Sequence, residues 1–366
     1  MLTVCTFVPE TVMTRDSHSH REPLCERCAC ACALMLIACA TQAADGGPQQ
    51  NALRPAGVQA AHIAQLWNLT LAVCAFVFAA VLLATLLALV RSRRSHASAA
   101  PNLDPVTHPE RRTRRVVVAA SVLSVVLLCG LIVADILTDR ALSKLPVDQP
   151  VKIEMTGLQW WWQVRYPAAR GLPELTTANE LHIPVGRTVI VSLKAGDVIH
   201  SFWVPDLHGK KDMLPGIDTS IAFRADKPGV YRGQCAEFCG AQHALMAMLV
   251  IAEPDDRYAA WVQQQAQPAR QTSDAIAQRG RDVFEKSTCA GCHTVRGTSA
   301  NGTLAPDLTH LMSRQTIAAG ALANTPDNLA AWIRNPHAWK AGVTMPAVRL
   351  SDSDLHAVVT WLATLQ

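Results

Sequence analysis

The chain of 366 residues is long enough for two or three domains, because a single domain usually holds about 150 residues. Hydrophobic residues make up 50 % of the chain and charged residues only 17 %, which excludes intrinsic disorder and disfavours a wholly soluble protein. The net charge of +4 leaves no domain basic enough to predict a nucleic acid partner.

Residues 1–43 are predicted to be a leader region. Two arginines precede the apolar stretch 28–40, which has the pattern of a secretory signal peptide. The Leu-Ile-Ala-Cys sequence that ends at Cys39 resembles a bacterial lipobox, in which Cys39 would be lipidated. Cleavage after the small residue Ala43 is the alternative.

Two long apolar runs predict a transmembrane hairpin over residues 60–140. The predicted spans are 66–90 and 116–137, and the first holds 25 residues without a charge, whereas a bilayer core needs about 20. The loop 91–115 carries seven arginines, so it is predicted to stay in the cytoplasm while both ends of the hairpin face the periplasm. Two buried core helices are the alternative.

Residues 147–262 are predicted to form a small all-β domain, an antiparallel sandwich or barrel. Short segments rich in β-formers are separated there by Pro and Gly. The predicted strands are 151–155, 160–166, 188–194, 198–204, 220–225, 230–234 and 246–252. The Gln-rich stretch 263–272 that follows predicts a flexible linker.

Residues 273–366 change to a helical period and predict a small all-helical domain. Ser273 is the predicted N-cap of its first helix, and Thr325 precedes a proline at the start of another. Ser351 is the predicted cap of the last helix, whose apolar residues lie on one stripe.

The sequence Cys289-Ala-Gly-Cys292-His293 is an attachment motif for a c-type haem. The two thiols of such a motif form thioethers with the haem, and the histidine is an axial ligand of the iron. Met345 is the predicted second axial ligand because it lies late in the domain between two predicted helices, and Met312 is its rival. Histidine and methionine ligation suits electron transfer. A zinc site and a redox dithiol are alternative uses of the cysteines.

The C-terminal domain resembles class I cytochrome c over nearly its whole length. Pro306 matches the family proline that packs beside the haem histidine.

A second group of donors lies in the predicted β domain. Cys235, Cys239, His243 and Met246 place thiolate, imidazole and thioether donors within twelve residues, a set that favours copper among first-row metals. Two thiolates can bridge two copper ions. Such a site needs another imidazole, and His200 in an upstream β segment fits.

This Cys-x3-Cys-x3-His-x2-Met motif, with an upstream His-Ser-Phe-Trp-Val-Pro, resembles the dinuclear CuA site of cytochrome c oxidase subunit II. The resemblance covers about residues 60–260. With the cytochrome c tail, the chain resembles the caa-type subunit II, in which the electron donor is fused to the oxidase. The implied fold is a multi-domain membrane protein with a two-helix transmembrane hairpin, an all-β cupredoxin sandwich and an all-α class I cytochrome c domain.

The resemblance also implies the roles of individual residues. The implied CuA ligands through side chains are His200, Cys235, Cys239, His243 and Met246. Glu237 would bind copper through its backbone carbonyl, and its carboxylate would point to a magnesium ion at the interface with subunit I. Trp160 is the implied residue at which electrons reach the copper site, and a buried structural tryptophan is the alternative. Glu110 lacks the Trp-Thr that follows the family's proton-channel glutamate, so a solvated loop charge is its alternative.

The function implied is electron transfer in an aerobic respiratory oxidase of the bacterial inner membrane. Haem c would accept electrons from a soluble or membrane-bound cytochrome c and pass them through CuA to the haem-copper centre of subunit I, which reduces oxygen and pumps protons. The expected partners are subunit I, other oxidase subunits and membrane lipid, with both terminal domains on the periplasmic side. A nitrous-oxide-reductase-like enzyme and a copper-delivery or free electron-carrier protein are the alternatives.

Overall fold

The computed structural model describes residues 48, 50–92, 111–144, 149–169 and 171–366. These residues all lie within the compact unit Pro48–Gln366. The predicted leader with its candidate lipidation site Cys39 and the loop residue Glu110 lie outside the described residues.

Two long helices open the described chain, α1 over Val58–Ser92 and α2 over Arg111–Leu142. Both are long and apolar enough to cross a membrane, and the most apolar 18 residues of each helix include no buried residue. The predicted spans 66–90 and 116–137 lie inside these helices. The two helices contact each other, which agrees with the pairing of two spans expected from the sequence.

The start of α1 is joined to the β domain by its preceding residues. The Ala56 N–H donates to the Asp206 carbonyl at 2.8 Å, and the Asp226 N–H donates to the Ala56 carbonyl at 2.8 Å. Gly57 allows this approach, since a Cβ there would lie 2.6 Å from the Arg224 carbonyl oxygen. Residues 51–60 therefore pack on the β domain before the chain continues as α1.

Ten strands build the β domain. They are β1 Val151–Leu158, β2 Trp161–Tyr166, β3 Leu175–Ala178, β4 Glu180–Pro184, β5 Val189–Ala195, β6 His200–Phe202, β7 Lys211–Met213, β8 Thr219–Phe223, β9 Gly229–Gln234 and β10 Ala247–Glu253. One sheet has the order β3-β2-β1-β5-β8, a second has the order β4-β10-β9, and β6 pairs with β7.

The strand directions differ from the purely antiparallel sandwich expected. β1 and β5 are parallel, with Ile153 opposite Val191, and β4 is parallel to β10. Parallel neighbours require a long connection instead of a hairpin, and the chain between each pair supplies one. The other pairs in these sheets are antiparallel.

The core of the domain follows from alternation along the strands. In β1, Ile153 and Met155 are almost fully buried, while the intervening side chains face outward. The buried cluster continues to one end of the domain, where it includes Cys235, Cys239 and Met246. The candidate copper donors are therefore part of the hydrophobic core.

Three strands, β3, β4 and β7, were not predicted. β4 is buried at every position although it contains Glu180 and His182. The His182 ring stacks on Trp261 with ring centroids 3.9 Å apart, and its Nδ1 lies 2.8 Å from Glu253 Oε1. A strand buried on both faces lacks the alternation by which strands are recognised.

The predicted linker 263–272 differs from the structure in its first residues. Helix α3, Asp255–Gln265, includes residues 263–265 and packs on the β domain through Tyr258 and Val262. Ala269, within the same stretch, is buried and its N–H donates to the Arg296 carbonyl at 2.8 Å. These backbone hydrogen bonds restrict the segment 263–272, whose polar composition predicted a flexible linker.

The C-terminal domain is mainly helical. Its elements are α4 Ala275–Lys286, α5 Cys289–Cys292, β11 Thr316–Ile317, β12 Leu322–Ala323, α6 Pro326–Arg334, α7 Pro336–Trp339 and α8 Asp352–Leu362. The short hairpin β11–β12 is an addition to the all-helical fold expected. The cap of α4 is Asp274, one residue after the predicted Ser273, because the Asp274 carboxylate accepts from the Ala277 N–H at 2.7 Å. Thr325 and Ser351 cap α6 and α8 as predicted.

Helices α4 and α8 cross closely. A Cβ at Gly280 would lie 1.9 Å from the Ala357 carbonyl oxygen, so only glycine permits this crossing. The Phe284 ring packs against Trp361 with centroids 5.0 Å apart. This contact closes the core behind α5, which carries the haem-attachment motif.

Candidate metal centres

The candidate copper donors come from two elements brought together by the sandwich. His200 opens β6, while the other side chains lie in the connection from β9 to β10. The Cys235 N–H donates to the Met246 carbonyl at 3.0 Å and closes the base of this connection. A short 3-10 turn, His243–Leu245, returns the chain toward the strand.

Six predicted donor atoms converge at this place. The sulfur atoms of Cys235 and Cys239 lie 3.8 Å apart. Cys235 Sγ is 3.9 Å from His200 Nδ1, and Cys239 Sγ is 3.7 Å from His243 Nδ1. Met246 Sδ lies 3.8 Å from Cys239 Sγ, and the Glu237 carbonyl oxygen lies 3.3 Å from Cys235 Sγ.

These separations fit a metal centre. Bonds of about 2.0–2.3 Å from one ion to sulfur and nitrogen place two donors about 3.5–4 Å apart. Both thiols are free, and their separation is far beyond a disulfide bond of about 2.05 Å. Among the His, Cys, Asp and Glu side chains that the structure describes, one group of three has its ligand atoms within 4.8 Å of one another. This group is His200, Cys235 and Cys239.

The thiol pair is set up to carry negative charge. The pKa of Cys235 is lowered, chiefly because the Cys239 thiol donates a hydrogen bond to its sulfur, with His200 adding to the effect. The same pairing raises the pKa of Cys239, and burial adds to the rise. One thiolate therefore forms readily, and a bound cation would stabilise the second.

A second layer of contacts orients His200. Its Nε2 donates to Asp197 Oδ1 at 2.8 Å, and Asp197 Oδ2 accepts from the Gln159 N–H at 2.6 Å. Burial opposes charge on His200, but its bonds to Cys235 and Asp197 outweigh it, so the pKa is raised. Since Asp197 holds Nε2, Nδ1 faces the thiols, which is the usual arrangement around a metal-binding histidine.

Gly157 makes room for the same imidazole. A Cβ there would lie 2.9 Å from both Cγ and Cδ2 of His200. Asp197 and Gly157 were missed in the sequence. Asp197 is separated from His200 by two residues without a metal motif, and Gly157 reaches the ring only through the folding of β1 beside β6.

Gly157→Ala is expected to displace the His200 ring and weaken copper binding by roughly 10–100-fold, the usual cost of losing support around a ligand. Copper affinity can be measured by competition with a chelator. Gly209→Ala is the control, because its methyl group would meet only Ile63 Cδ1 at an ordinary 3.6 Å. Equal affinities in the two variants would contradict this role of Gly157.

The haem-attachment motif occupies the short helix α5. Its thiols, Cys289 and Cys292, are free and half-buried. His293 Nδ1 donates to the Pro306 carbonyl at 2.7 Å, which leaves Nε2 available as an iron ligand. Burial lowers the pKa of His293, which favours the neutral imidazole that metal binding requires. The residues fit a covalently held haem, and Pro306 lies where the resemblance placed it.

Both candidate methionines for the second axial position pack against the core of this domain. Met345 is half-buried in the irregular segment between α7 and α8, as expected. Met312 lies in the 3-10 turn Leu311–Ser313, and its N–H donates to the Leu365 carbonyl at 2.8 Å. The assignment of Met345 as the ligand stays a prediction.

Trp160 lies directly against the copper donors and is 8 % exposed. Its indole N–H donates to the Cys239 carbonyl at 3.0 Å, and Gln159 Nε2 donates to the same oxygen at 2.8 Å. Gly240, at φ +110°, allows this approach because a Cβ there would lie 3.2 Å from the indole. The tryptophan is thus both buried and connected to a candidate ligand.

The Glu237 carbonyl oxygen lies 3.3 Å from Cys235 Sγ, and its role as a copper ligand stays a prediction. Its Oε1 accepts from the Phe238 N–H at 3.3 Å, and the Phe238 side chain is 71 % exposed. Within the described residues Glu237 belongs to no group of three potential side-chain ligands. Its role toward magnesium stays a prediction.

Comparison with known proteins decides the family. The family described as "Cytochrome C oxidase subunit II, periplasmic domain" matches residues 168–253, and "Cytochrome c" matches residues 277–366. The cytochrome c oxidase subunit 2 of Alkalihalophilus pseudofirmus is 37 % identical over 328 residues, which cover 88 % of this chain and 92 % of the relative. The chain belongs to the cytochrome c oxidase subunit 2 family.

A second curated relative agrees with this membership, and a solved structure is also similar in sequence. Cytochrome c oxidase subunit 2 of Bacillus sp. (strain PS3) is 32 % identical and covers 67 % of this chain and 73 % of the relative. The crystal structure of the periplasmic domain of subunit II of cytochrome oxidase from Bradyrhizobium japonicum is 30 % identical, covers 33 % of this chain and 96 % of that chain, and has a TM-score of 0.31.

Membership confirms the resemblance and the fold class inferred from the sequence. The chain is a subunit of a cytochrome c oxidase, with a subunit II domain and a cytochrome c domain in one polypeptide. This excludes the nitrous-oxide-reductase-like enzyme and the copper-delivery protein. It also supports an electron-transfer role and association with other oxidase subunits.

Proposed function

We propose that this chain accepts electrons from a cytochrome c at a covalent haem c and delivers them through a binuclear CuA centre to subunit I, where oxygen reduction drives proton pumping. The observation that carries the proposal is the convergence of six donor atoms, two of which are free thiol sulfurs 3.8 Å apart. Bound copper and haem would supply reversible one-electron oxidation and reduction.

The residues of the copper site have separate tasks. Cys235 and Cys239 would bridge the two ions, since each thiolate lies within reach of a different imidazole. Met246 and the Glu237 carbonyl would be the weaker ligands of the copper ions. Burial of the thiols among the core side chains excludes water and holds the donors in place when the charge of the site changes.

The haem site would use Cys289 and Cys292 as covalent anchors and His293 with Met345 as axial ligands. Pro306 holds the imidazole through its carbonyl and fixes the tautomer. Trp160 would receive electrons on the way to copper, because its indole contacts the carbonyl of Cys239. Since Trp160 is buried, the donor in contact with it would be the cytochrome c domain of the same chain.

The distribution of charge supports an orientation in the membrane. Arginines lie at the loop-facing end of each helix. These are Arg91 in the last turn of α1 and the arginines that begin with Arg111 in the first turn of α2. Such a loop stays in the cytoplasm, so both metal domains would face the periplasm of a bacterial inner membrane. Membrane lipid would surround the exposed apolar faces of α1 and α2, and the Glu237 carboxylate would meet magnesium at the interface with subunit I.

The purified oxidase complex tests this function. We expect two copper ions and one covalent haem c in each copy of this chain. On mixing with reduced cytochrome c, the haem c absorption should change first and the near-infrared absorption of CuA second. One copper ion per chain, or CuA reduction before haem c, would overturn the proposal.

A further inference from the structure

Lys340 is a lysine of the cytochrome c domain that is almost completely buried, with 1 % of its surface exposed. It follows α7 at the start of the irregular segment that carries Met345. Its Nζ donates to three backbone carbonyls, those of Trp160 at 2.9 Å, Leu245 at 2.9 Å and Ala318 at 3.1 Å.

The three acceptors belong to two domains. Ala318 lies in the cytochrome c domain, between β11 and β12. Trp160 and Leu245 belong to the copper domain, and both adjoin candidate ligands: the Trp160 indole donates to the Cys239 carbonyl, and Leu245 immediately precedes Met246. One ammonium group therefore joins the haem-bearing domain to two segments that hold the copper donors.

The bonding of this ammonium group is complete. A buried charge is costly unless its hydrogen-bonding capacity is filled, and an ammonium group has three donors for the three carbonyls present. No ion pair to a carboxylate accompanies Lys340 within the described part of the chain. Burial lowers the pKa of Lys340 to about 8, and the three carbonyl acceptors are the partners that a charged ammonium group needs.

The neighbours of Lys340 continue the same contact. The Ala341 carbonyl accepts from Gln242 Nε2 at 2.6 Å, and a Cβ at Gly342 would lie 3.9 Å from the Trp160 ring. The segment that contacts the copper domain is thus the one that leads to the candidate haem ligand Met345. Next to the acceptor Ala318, the Ala319 carbonyl accepts from the Ala247 N–H of the copper domain at 3.0 Å.

We propose that Lys340 is a positioning residue that holds the haem-bearing domain against Trp160 and Leu245 of the copper domain. It thereby sets the rate of electron transfer from haem c to CuA. The inference rests on the proposed function, because it assumes that electrons pass from haem c to CuA. Loss of the ammonium group would leave three buried carbonyls without their donor and loosen the contact at Trp160. Haem and copper ligands lie outside this contact, so both centres would still form.

The test compares variants within the complete purified oxidase. Lys340→Met removes the ammonium group at similar side-chain length, and Lys340→Gln keeps a shorter, neutral donor. Lys286→Met is the matched control, since Lys286 is on α4 of the same domain with its side chain 79 % exposed. Rapid mixing with reduced cytochrome c follows the haem c band and the near-infrared CuA band separately.

In Lys340→Met we expect haem c reduction by external cytochrome c at the wild-type rate and CuA reduction slower by roughly tenfold or more, as when reacting groups are misplaced by about an ångström. Both absorption bands should keep their wild-type positions and amplitudes. Lys340→Gln should fall between Met and wild type, and Lys286→Met should match wild type.

Wild-type internal transfer in Lys340→Met would overturn the role of Lys340, while absence of haem-to-copper transfer in the wild type would overturn the proposed function instead. Loss of either absorption band in Lys340→Met would also count against positioning, because the lysine would then be needed for the fold of a centre. Lys340→Gln provides an independent test. If both bands are intact in that variant and CuA is reduced at the wild-type rate, the proposal is overturned.

Discussion

Replacing Cys235 by serine is expected to abolish the binuclear copper centre and reduce oxygen consumption with cytochrome c as donor to below about one hundredth of wild type. Cys235 is the thiol closest to the Glu237 carbonyl and to His200, and the site offers only one other sulfur of the same kind. Loss of a mere supporting residue near a metal costs 10–100-fold, so loss of a bridging ligand should cost more. The measurement is copper content with near-infrared absorption and oxygen uptake.

Cys129→Ser provides the matched control for this change. Cys129 is a free, exposed cysteine on α2, outside the metal domains. This variant should keep two copper ions and wild-type oxygen uptake. The haem c band should persist in both variants, because the cytochrome c domain has its own hydrophobic core. Retention of a two-copper spectrum in Cys235→Ser would refute the bridging role.

Replacing Met345 by histidine is expected to lower the reduction potential of haem c. A thioether stabilises ferrous iron better than an imidazole does, so a histidine pair favours the ferric form. A fall of more than about 59 mV, a factor of ten in a one-electron equilibrium, is expected in a redox titration of the haem band. Electrons would then leave the haem more readily but enter it less readily, and turnover should fall at its reduction by cytochrome c.

Met312→Leu separates the two candidate ligands. Met312 is held in a 3-10 turn through its backbone, and its side chain packs in the same core as Met345. If Met345 is the ligand, Met312→Leu keeps the weak sulfur-to-iron band in the near infrared and Met345→His loses it. The opposite pattern would assign the iron ligand to Met312.

The parts of the fold that depend on local pattern could be predicted from the sequence. An uncharged run of 25 residues suffices for a span within α1, and the Cys-x-x-Cys-His spacing suffices for a helical turn that presents two thiols and an imidazole. The copper donors were also predictable, since four of them lie within twelve residues. The structure then shows that His200, far away in sequence, meets them.

The features that were missed depend on contacts between distant segments. Gly157 is needed only because β1 folds beside the His200 ring, and nothing around it in sequence marks that requirement. Strand β4 lacks alternation because both its faces are covered. Lys340 is a single lysine between Trp and Ala without a motif. Its burial arises from the meeting of two domains that the linker composition predicted to be loosely joined.

The packing of residues 51–60 on the β domain makes the copper domain discontinuous in sequence. Its predicted range, 147–262, leaves out the segment around Ala56, whose backbone is bonded on both sides to the domain. The domain is therefore held to the membrane hairpin at two points, through the start of α1 and through the chain that follows α2. Two connections restrict rotation of the domain about either one, so the hairpin limits the orientations that the copper domain can take.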